Sequence, residues 1–155
     1  MKAKKLLKVL KQKQLKIAAC ESFTGGFFAH IITNTANASQ VFIGSFVSYS
    51  NDFKNNIIKI DQQIIKKYGV ISKQTAEQMT KNTQQLTNAD LTVSFTGNAG
   101  PNASENKPIR FAYISICYKD KLITYNIKSK IPISRNCFKN YAVNFAIKKI
   151  IRLVK

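Results

Sequence analysis

Apolar and polar positions in the first part of the chain follow the periods of a helix, a strand and a second helix. Between Ala3 and Gln14, leucines and a valine recur at helical spacing among lysines, which predicts an amphipathic helix with a basic outer face. Ile17 to Cys20 is a short apolar run, typical of a buried strand. The segment E-S-F-T-G-G follows at once, and a second apolar stretch runs from Phe27 to Ile32. This order predicts strand, tight loop and helix.

Further elements alternate along the middle of the chain. Phe42 to Tyr49 is rich in aromatic and β-branched residues and is predicted to be a strand, followed by short helices over Asn51 to Ile60 and Asp61 to Tyr68. Ser72 is a predicted N-cap for a polar helix that ends near Thr87. The alternation of Leu91 to Phe95 predicts a buried strand, which runs into a second loop of small residues, T-G-N-A-G-P.

The last part of the chain predicts a loop, a hairpin and a long helix. Asn102 to Lys107 is the most loop-like segment, and two β-rich runs, Arg110 to Tyr118 and Leu122 to Ile127, flank a turn that favours an antiparallel hairpin. Ser134 to Leu153 has apolar residues at helical intervals and a serine cap. Elements that alternate before a terminal hairpin predict an α/β fold over residues 1–155. We expect a single domain, a three-layer α/β/α sandwich with a mixed, mainly parallel sheet.

The composition is that of an ordinary globular chain. Apolar residues make up 45% and charged residues 21% of the 155 residues. No apolar run reaches the roughly 20 residues of a membrane span, and lysines interrupt the amino-terminal leucines where a signal peptide is apolar. Cys20, Cys117 and Cys137 are widely spaced and odd in number, so we expect free thiols in a reducing compartment. These features predict a cytoplasmic protein that neither crosses nor binds a membrane.

The formal net charge of +18 has two explanations. Clustered Lys and Arg neutralise the phosphates of nucleic acids. Alternatively, the charge reflects composition, because Lys, Asn and Ile are abundant throughout and only Arg110, Arg135 and Arg152 are arginines, as in chains encoded by AT-rich genomes. The sequence has no zinc finger, RNP-like aromatic pattern or continuous basic region, so we favour composition over a nucleic-acid partner. The charge should still attract anionic substrates.

Two loops of small residues stand at the carboxyl ends of predicted strands, where open α/β sheets bind ligands. Glycines allow close approach to the backbone, and free N–H groups at the start of the following helix can hold an anion or an oxyanion. Spacing alone favours a plain helix-start loop, since neither segment matches a phosphate loop or a nucleophile elbow. The one histidine, His30, lies in a predicted helix. A serine would then need a lysine as its base.

Five segments of the chain form a recognisable set. They are A-C-E-S-F-T-G-G, V-F-I-G-S-F-V-S-Y-S-N-D-F-K, Y-G-V-I-S, T-G-N-A-G-P and the K-P before the hairpin. In this order and spacing they resemble the CinA carboxy-terminal domain family, over nearly the whole chain. The resemblance implies a nicotinamide-nucleotide amidase, which converts nicotinamide mononucleotide to nicotinate mononucleotide and ammonia without a metal or cofactor. It also implies a homo-oligomer, at least a dimer.

The same resemblance implies a set of site residues. The implied catalytic residues are Ser22 as nucleophile, Lys54 as its base and Tyr49 beside them. The implied substrate-binding residues are Thr24, Gly25, Gly26, Thr96, Gly97 and Arg135, and a second arginine of the family appears here as Lys139. Arg135 would bind the substrate phosphate, and we expect its charge to lower the pKa of Lys54 by repulsion.

The chain departs from the family pattern near this site. Ser45 stands where the family has a second glycine, Asn98 alters the second loop, and residues 102–106 replace a glycine-rich stretch. Arg110 and Phe111 are large where the family is small, so we expect them to narrow the substrate pocket. These departures leave open an alternative function, a weakened or inactive family member that binds a nucleotide or a protein partner without turnover.

Overall fold

One mixed five-stranded sheet lies between two layers of helices in the computed structural model, which describes residues 2–155. The helices are α1 (Lys2–Gln12), α2 (Phe27–Thr33), α3 (Asn51–Asn56), α4 (Gln62–Tyr68), α5 (Lys73–Thr87) and α6 (Arg135–Leu153), with a 3-10 turn over Ala38–Gln40. The strands are β1 (Ile17–Glu21), β2 (Phe42–Val47), β3 (Leu91–Asn98), β4 (Phe111–Tyr118) and β5 (Lys121–Lys128). None of the helices in residues 2–155 combines the length and apolarity that a bilayer crossing requires.

The strands are ordered β2-β1-β3-β4-β5 across the sheet. β1 pairs in parallel with β2 and with β3, whereas β3–β4 and β4–β5 are antiparallel. Only β4 therefore runs in the opposite direction to the other four strands, which confirms the predicted mixed and mainly parallel sheet. Glu21 at the end of β1 pairs with Phe95 of β3. The loop after β1 and the end of β3 consequently meet at the carboxyl ends of these two central strands.

The two faces of the sheet are packed by different chemistry. α1, α2 and α6 bury an apolar core against one face, with side chains such as Leu10, Phe28 and Ile147 fully enclosed. On the other face, α5 packs through small hydroxyl residues. Ser94 donates its hydroxyl to the carbonyl of Ala76 at 2.7 Å, and Thr92 donates to the α5 backbone at 3.1 Å. These hydrogen bonds satisfy the buried hydroxyls of the sheet where the polar helix α5 packs against it.

β3 is longer than the sequence predicted. Thr96, Gly97 and Asn98 were expected in a loop, but they continue the strand and pair with β4. Gly97 permits this pairing, because a Cβ at that position would collide with Ala112 and with the carbonyl of Phe111. The second group of small residues therefore presents a strand end to the site, and only the residues after Asn98 form a loop.

The observed helix starts agree closely with the predicted ones, whereas the ends of β2 and α3 differ from their predictions. The hydroxyls of Ser72 and Ser134 each accept the N–H of the third residue along, which confirms both predicted N-caps. β2 ends at Val47, two residues earlier than predicted. α3 ends at Asn56 and not at residue 60, and Lys59 adopts a left-handed backbone with φ of 58°.

Candidate active site

A cleft of about 220 Å³ lies where the carboxyl ends of β1 and β3 meet. Six of the nine expected site residues line it, namely Ser22, Tyr49, Lys54, Thr96, Gly97 and Arg135. Thr24, Gly25 and Gly26 do not contribute to this lining. Thr24 is buried beneath the surface, and both glycines adopt left-handed backbones, with φ of 61° and 90°, that shape the turn. The nine residues are therefore close in space, but three of them support the cleft from outside.

Glu21 holds the loop that carries Ser22. Its fully buried carboxylate accepts the N–H groups of Phe28 at 2.9 Å and Ala29 at 3.0 Å, and the Ser45 hydroxyl at 2.9 Å. A carboxylate is favoured at a helix N-terminus by the unpaired N–H groups and the helix dipole. The protein itself occupies these first donors of α2. The N–H groups of Phe28 and Ala29 are therefore not free to hold an anion or an oxyanion.

Other donors remain in the turn before α2. The N–H of Ser22 donates to the end of β3 at 2.9 Å, and the N–H of Gly25 donates to the Ser22 carbonyl at 3.0 Å. Within residues 2–155, the N–H groups of Phe23, Thr24 and Gly26 have no hydrogen-bond acceptor. Backbone N–H groups next to a nucleophile are suited to stabilise a developing oxyanion.

Lys54 is a buried lysine that lines the cleft. Its side chain is only 2% exposed, and it belongs to α3, whose N-cap is Ser50. Burial lowers the pKa of Lys54 below its ordinary value of 10.5, because a low-dielectric environment disfavours the ammonium form. A lysine with a lowered pKa provides more of the neutral amine, which is the form that accepts a proton.

Two nearby acidic groups counter the effect of burial on Lys54. A thiolate at Cys20 and the carboxylate of Glu105 would each raise the pKa of Lys54. Burial raises the pKa of the Cys20 thiol to about 11, so this group is uncharged at neutral pH and Glu105 is the effective carboxylate. Arg135 is not a cause of the shift at Lys54, and our expectation of repulsion there is wrong. Arg135 acts on Lys139, whose pKa is lowered first by burial and then by Arg135.

Ser22 and Lys54 line the same cleft. Among residues 2–155, no hydrogen bond joins Ser22 Oγ to Lys54 Nζ. Catalytic hydrogen bonds are commonly long in enzymes without substrate and tighten when substrate binds. The two side chains therefore share one site without being joined by a hydrogen bond.

Arg135 and Tyr49 connect the walls of the cleft. Arg135 begins α6, and its Nη1 donates to the carbonyl of Gly100 at 2.7 Å. Its Nη2 donates to the Tyr49 hydroxyl at 3.1 Å. Tyr49 is 63% exposed, so both side chains present polar groups to the solvent side of the cleft. A guanidinium in this position can bind a phosphate through paired N–H groups.

The segment 102–107 forms another wall, and two side chains secure it. Asn98 donates to the carbonyls of Ser104 at 3.0 Å and Lys107 at 3.2 Å, and it accepts the Ser104 hydroxyl at 2.8 Å. Glu105 accepts the N–H groups of residues 70 and 71 at 2.8 and 2.9 Å. Sequence reasoning missed both roles. For Glu105 the available signal was its place in the polar segment 102–107, as the lone carboxylate between Asp90 and Asp120.

Comparison with known proteins identifies the family. Residues 1–154 match the family described as CinA C-terminal domain. The chain belongs to this family. It is 42% identical over 132 residues to a CinA-like protein of Prochlorococcus marinus, covering 84% of this chain and 31% of that relative. The chain spans only 28–31% of the length of the curated relatives that it matches.

Solved structures of CinA proteins share the fold. A CinA superfamily protein of Klebsiella pneumoniae superimposes with a TM-score of 0.94 at 18% identity, covering 99% of this chain and 95% of that one. The competence/damage inducible protein CihA of Agrobacterium tumefaciens gives a TM-score of 0.93 at 26% identity, covering 99% and 94%. These likenesses confirm the predicted α/β architecture.

Two departures from the CinA pattern lie away from the cleft. Arg110 and Phe111 do not line it, so they do not narrow this cleft directly. Phe111 begins β4 and packs edge-on against Tyr113, with ring centroids 5.4 Å apart. Arg110 has a left-handed backbone with φ of 54°, and its carbonyl accepts the N–H of Ser129 at 3.0 Å. Both residues shape the start of the hairpin.

The remaining candidate side chains are the histidine, the three cysteines and the groups that could bind a metal. His30 is exposed, and its Nε2 lies 3.0 Å from the side-chain amide of Asn34. The three cysteines are free, as the sequence predicted. Among residues 2–155, no three His, Cys, Asp or Glu side chains come together as a metal-binding group.

Replacing Glu105 with Gln should shift the pH dependence of any rate that needs the neutral amine of Lys54 toward lower pH. Glu105 raises the pKa of Lys54, so removing its charge should lower that pKa further and make the neutral amine available earlier. The rate of ammonia release from nicotinamide mononucleotide, the activity that the family resemblance implies, would be measured from pH 6 to 10 to report the shift. Asp120→Asn removes an exposed carboxylate from the hairpin turn and serves as the control. Equal profiles for Glu105→Gln and wild type would contradict this role.

Proposed function

We propose that this chain hydrolyses the carboxamide of nicotinamide mononucleotide to nicotinate mononucleotide and ammonia. The observation that carries the proposal is the cleft itself, in which a buried lysine of lowered pKa lies beside a serine at a strand end. The same cleft holds a guanidinium for the phosphate of the substrate. Membership of the CinA C-terminal domain family supports the choice of substrate.

The first step of the proposed reaction acylates Ser22. The neutral amine of Lys54 takes the hydroxyl proton while Ser22 Oγ bonds to the amide carbon. The electron pair of the C=O bond moves to oxygen, and the N–H groups of Phe23 and Thr24 stabilise the oxyanion. When the C=O bond re-forms, the C–N bond breaks, and the leaving nitrogen takes the proton from the Lys54 ammonium to depart as ammonia.

The second step releases the acid product. Lys54, neutral again, takes a proton from a water molecule whose oxygen attacks the ester carbon. The bond from that carbon to Ser22 Oγ breaks, and Ser22 recovers its proton from Lys54. The free carboxylic acid then ionises in water. Both steps need Ser22 to approach Lys54, and we expect bound substrate to exclude water and draw the two side chains into contact.

Positive charge at the cleft suits an anionic nucleotide. Arg135 is anchored to Gly100 and Tyr49, and its remaining N–H groups are available to a phosphate. Lys139 lies on the next turn of α6, and its Nζ would be 3.6 Å from a Cβ placed on Gly25. Arg135 in the cleft and Lys139 beside the Ser22 loop favour a substrate with a phosphate over the uncharged base nicotinamide.

Substituting Lys for Arg135 should weaken substrate binding more than the chemical step. Lysine keeps the positive charge but cannot contact Gly100, Tyr49 and a phosphate at once. We expect KM for nicotinamide mononucleotide to rise by about 10- to 100-fold with kcat reduced by only a few fold. Arg152→Lys, near the far end of α6, is the matched control. A selective loss of kcat would place Arg135 in the chemical step instead.

The proposal is tested by comparing three amides, namely nicotinamide mononucleotide, its riboside without phosphate, and nicotinamide. Ammonia should be released fastest from the mononucleotide. The lack of a hydrogen bond between Ser22 and Lys54 favours a second candidate function, nucleotide binding without turnover. Calorimetry that detects tight mononucleotide binding, together with no ammonia at high enzyme concentration, would establish the second function and overturn the first.

A further inference from the structure

Exposed carboxylates are absent from one part of this basic protein. In residues 2–51 the only Asp or Glu side chain is Glu21, which is fully buried and bound to α2. The same segment contains an exposed row of lysines on α1, comprising Lys2, Lys4, Lys5, Lys8 and Lys11. A lysine-rich composition adds cations everywhere, but it does not by itself remove carboxylates from one surface. The distribution of acidic residues is therefore a separate observation from the net charge.

A cleft of about 700 Å³ runs along this lysine row. Lys4, Lys8 and Lys11 line one wall, and their spacing of four and three residues places them on one face of α1. At 1.5 Å per residue they span about 10 Å of the helix. The opposite wall is formed by residues 34–37 and Gln40, which contribute amide and hydroxyl groups. We name this the lysine cleft.

The lysine cleft is remote from Ser22. Residues 34–41 precede β2, and the first residue of β2 pairs with Ile17 at the start of β1. The lysine cleft therefore lies at the amino ends of these strands, whereas Ser22 follows the carboxyl end of β1. Lys16 adds another ammonium here, because its Nζ donates to the carbonyl of Gln40 at 2.6 Å. Asp90 is the carboxylate beside Lys16, and it accepts the backbone N–H of that residue at 2.7 Å.

The side chains that line the lysine cleft favour phosphate groups over a membrane or unpaired bases as its ligand. The apolar face of α1 is enclosed in the core through Leu6, Leu7 and Leu10, so this helix has no apolar face left to enter a membrane. No aromatic side chain lines the cleft within the described residues, so it offers no platform for stacking unpaired bases. Flexible ammonium groups bind phosphates as point charges without reading sequence.

We propose that the lysine cleft binds the phosphodiester backbone of double-stranded nucleic acid, independently of sequence. The three lysines of α1 supply the phosphate contacts, and the amides of the opposite wall add hydrogen bonds. This binding does not depend on the hydrolysis proposed for the Ser22 cleft.

The test compares two triple variants of equal net charge. Lys4→Gln/Lys8→Gln/Lys11→Gln removes the cleft lysines, and Gln has a helix propensity close to that of Lys. Lys66→Gln/Lys67→Gln/Lys81→Gln removes three exposed lysines from α4 and α5 as the control. Fluorescence anisotropy with a labelled 20-base-pair duplex would be measured from 25 to 200 mM KCl, settings chosen to span roughly a tenfold range of salt.

The cleft variant should bind the duplex at least tenfold more weakly at low salt, and the magnitude of its negative slope of log K against log salt should fall by about 2.7. The control variant should stay within about twofold of wild type, and both should retain wild-type circular dichroism and ammonia release. No duplex binding by wild type, equal losses in both variants, or displacement of the duplex by polyglutamate as readily as by unlabelled duplex would overturn the proposal.

Discussion

Ser22→Ala should reduce ammonia release from nicotinamide mononucleotide by on the order of 10⁴-fold or more. The substitution removes the only atom that bonds to the substrate in the proposed reaction, and the cleft retains its cations and loop N–H groups. Binding of the mononucleotide should therefore remain within a few fold of wild type. Steady-state kinetics and calorimetry on the same preparation would separate the two effects.

Ser39→Ala is a suitable control for this experiment. Ser39 is an exposed serine in the 3-10 turn, before the start of β2, whereas Ser22 follows the carboxyl end of β1. Its variant should keep the wild-type rate. Turnover by Ser22→Ala within tenfold of wild type would show that a different group attacks the amide, and a hydrolytic mechanism with directly activated water would replace the acyl intermediate.

Lys54→Met should abolish turnover while leaving the fold as stable as wild type or more stable. Lys54 is buried, and burial disfavours its ammonium form, so replacing it with an apolar side chain of similar length removes a desolvation cost. The same change removes the base, so we expect a loss of on the order of 10³-fold or more in kcat. Thermal unfolding and steady-state rates of the two proteins would test both parts.

The pH dependence gives the stability prediction a definite sign. Burial lowers the pKa of Lys54 in the folded chain, so between that pKa and 10.5 the unfolded chain binds more protons. The free energy of unfolding contributed by Lys54 therefore rises with pH in this window, and below it the full cost of the buried ammonium persists. The stability advantage of Lys54→Met should shrink as pH rises through the window. An advantage that grows with pH, or near-normal turnover by the variant, would contradict the assignment of Lys54.

Local sequence patterns predicted the elements that depend on local interactions. The helical period of the lysine-interrupted amino terminus and the serine caps of α5 and α6 were sufficient to place those helices. The end of β3 was misplaced because Thr96, Gly97 and Asn98 become strand only through pairing with β4, which follows them by more than a dozen residues. Such non-local pairing leaves no periodic signal in the strand itself.

The site shows the same division between local and tertiary information. The family resemblance indicated Ser22, Lys54 and Arg135, and the parallel pairing of β1 with β3 brings their elements to one cleft. The burial of Lys54 and the use of α2 donors by Glu21 arise from tertiary packing, so sequence reasoning attributed the pKa of Lys54 to the wrong neighbour. The contact of Glu105 with residues 70 and 71 joins segments far apart in the chain.

The most direct test of the account is the mass of the products formed from nicotinamide mononucleotide in ¹⁸O-labelled water. Hydrolysis through Ser22 predicts nicotinate mononucleotide carrying one ¹⁸O in its new carboxylate, with an equal amount of ammonia, from wild type and not from Ser22→Ala. Unchanged mononucleotide at stoichiometric enzyme, or free nicotinamide released by cleavage of the glycosidic bond, would contradict the assignment of this cleft as an amidase site.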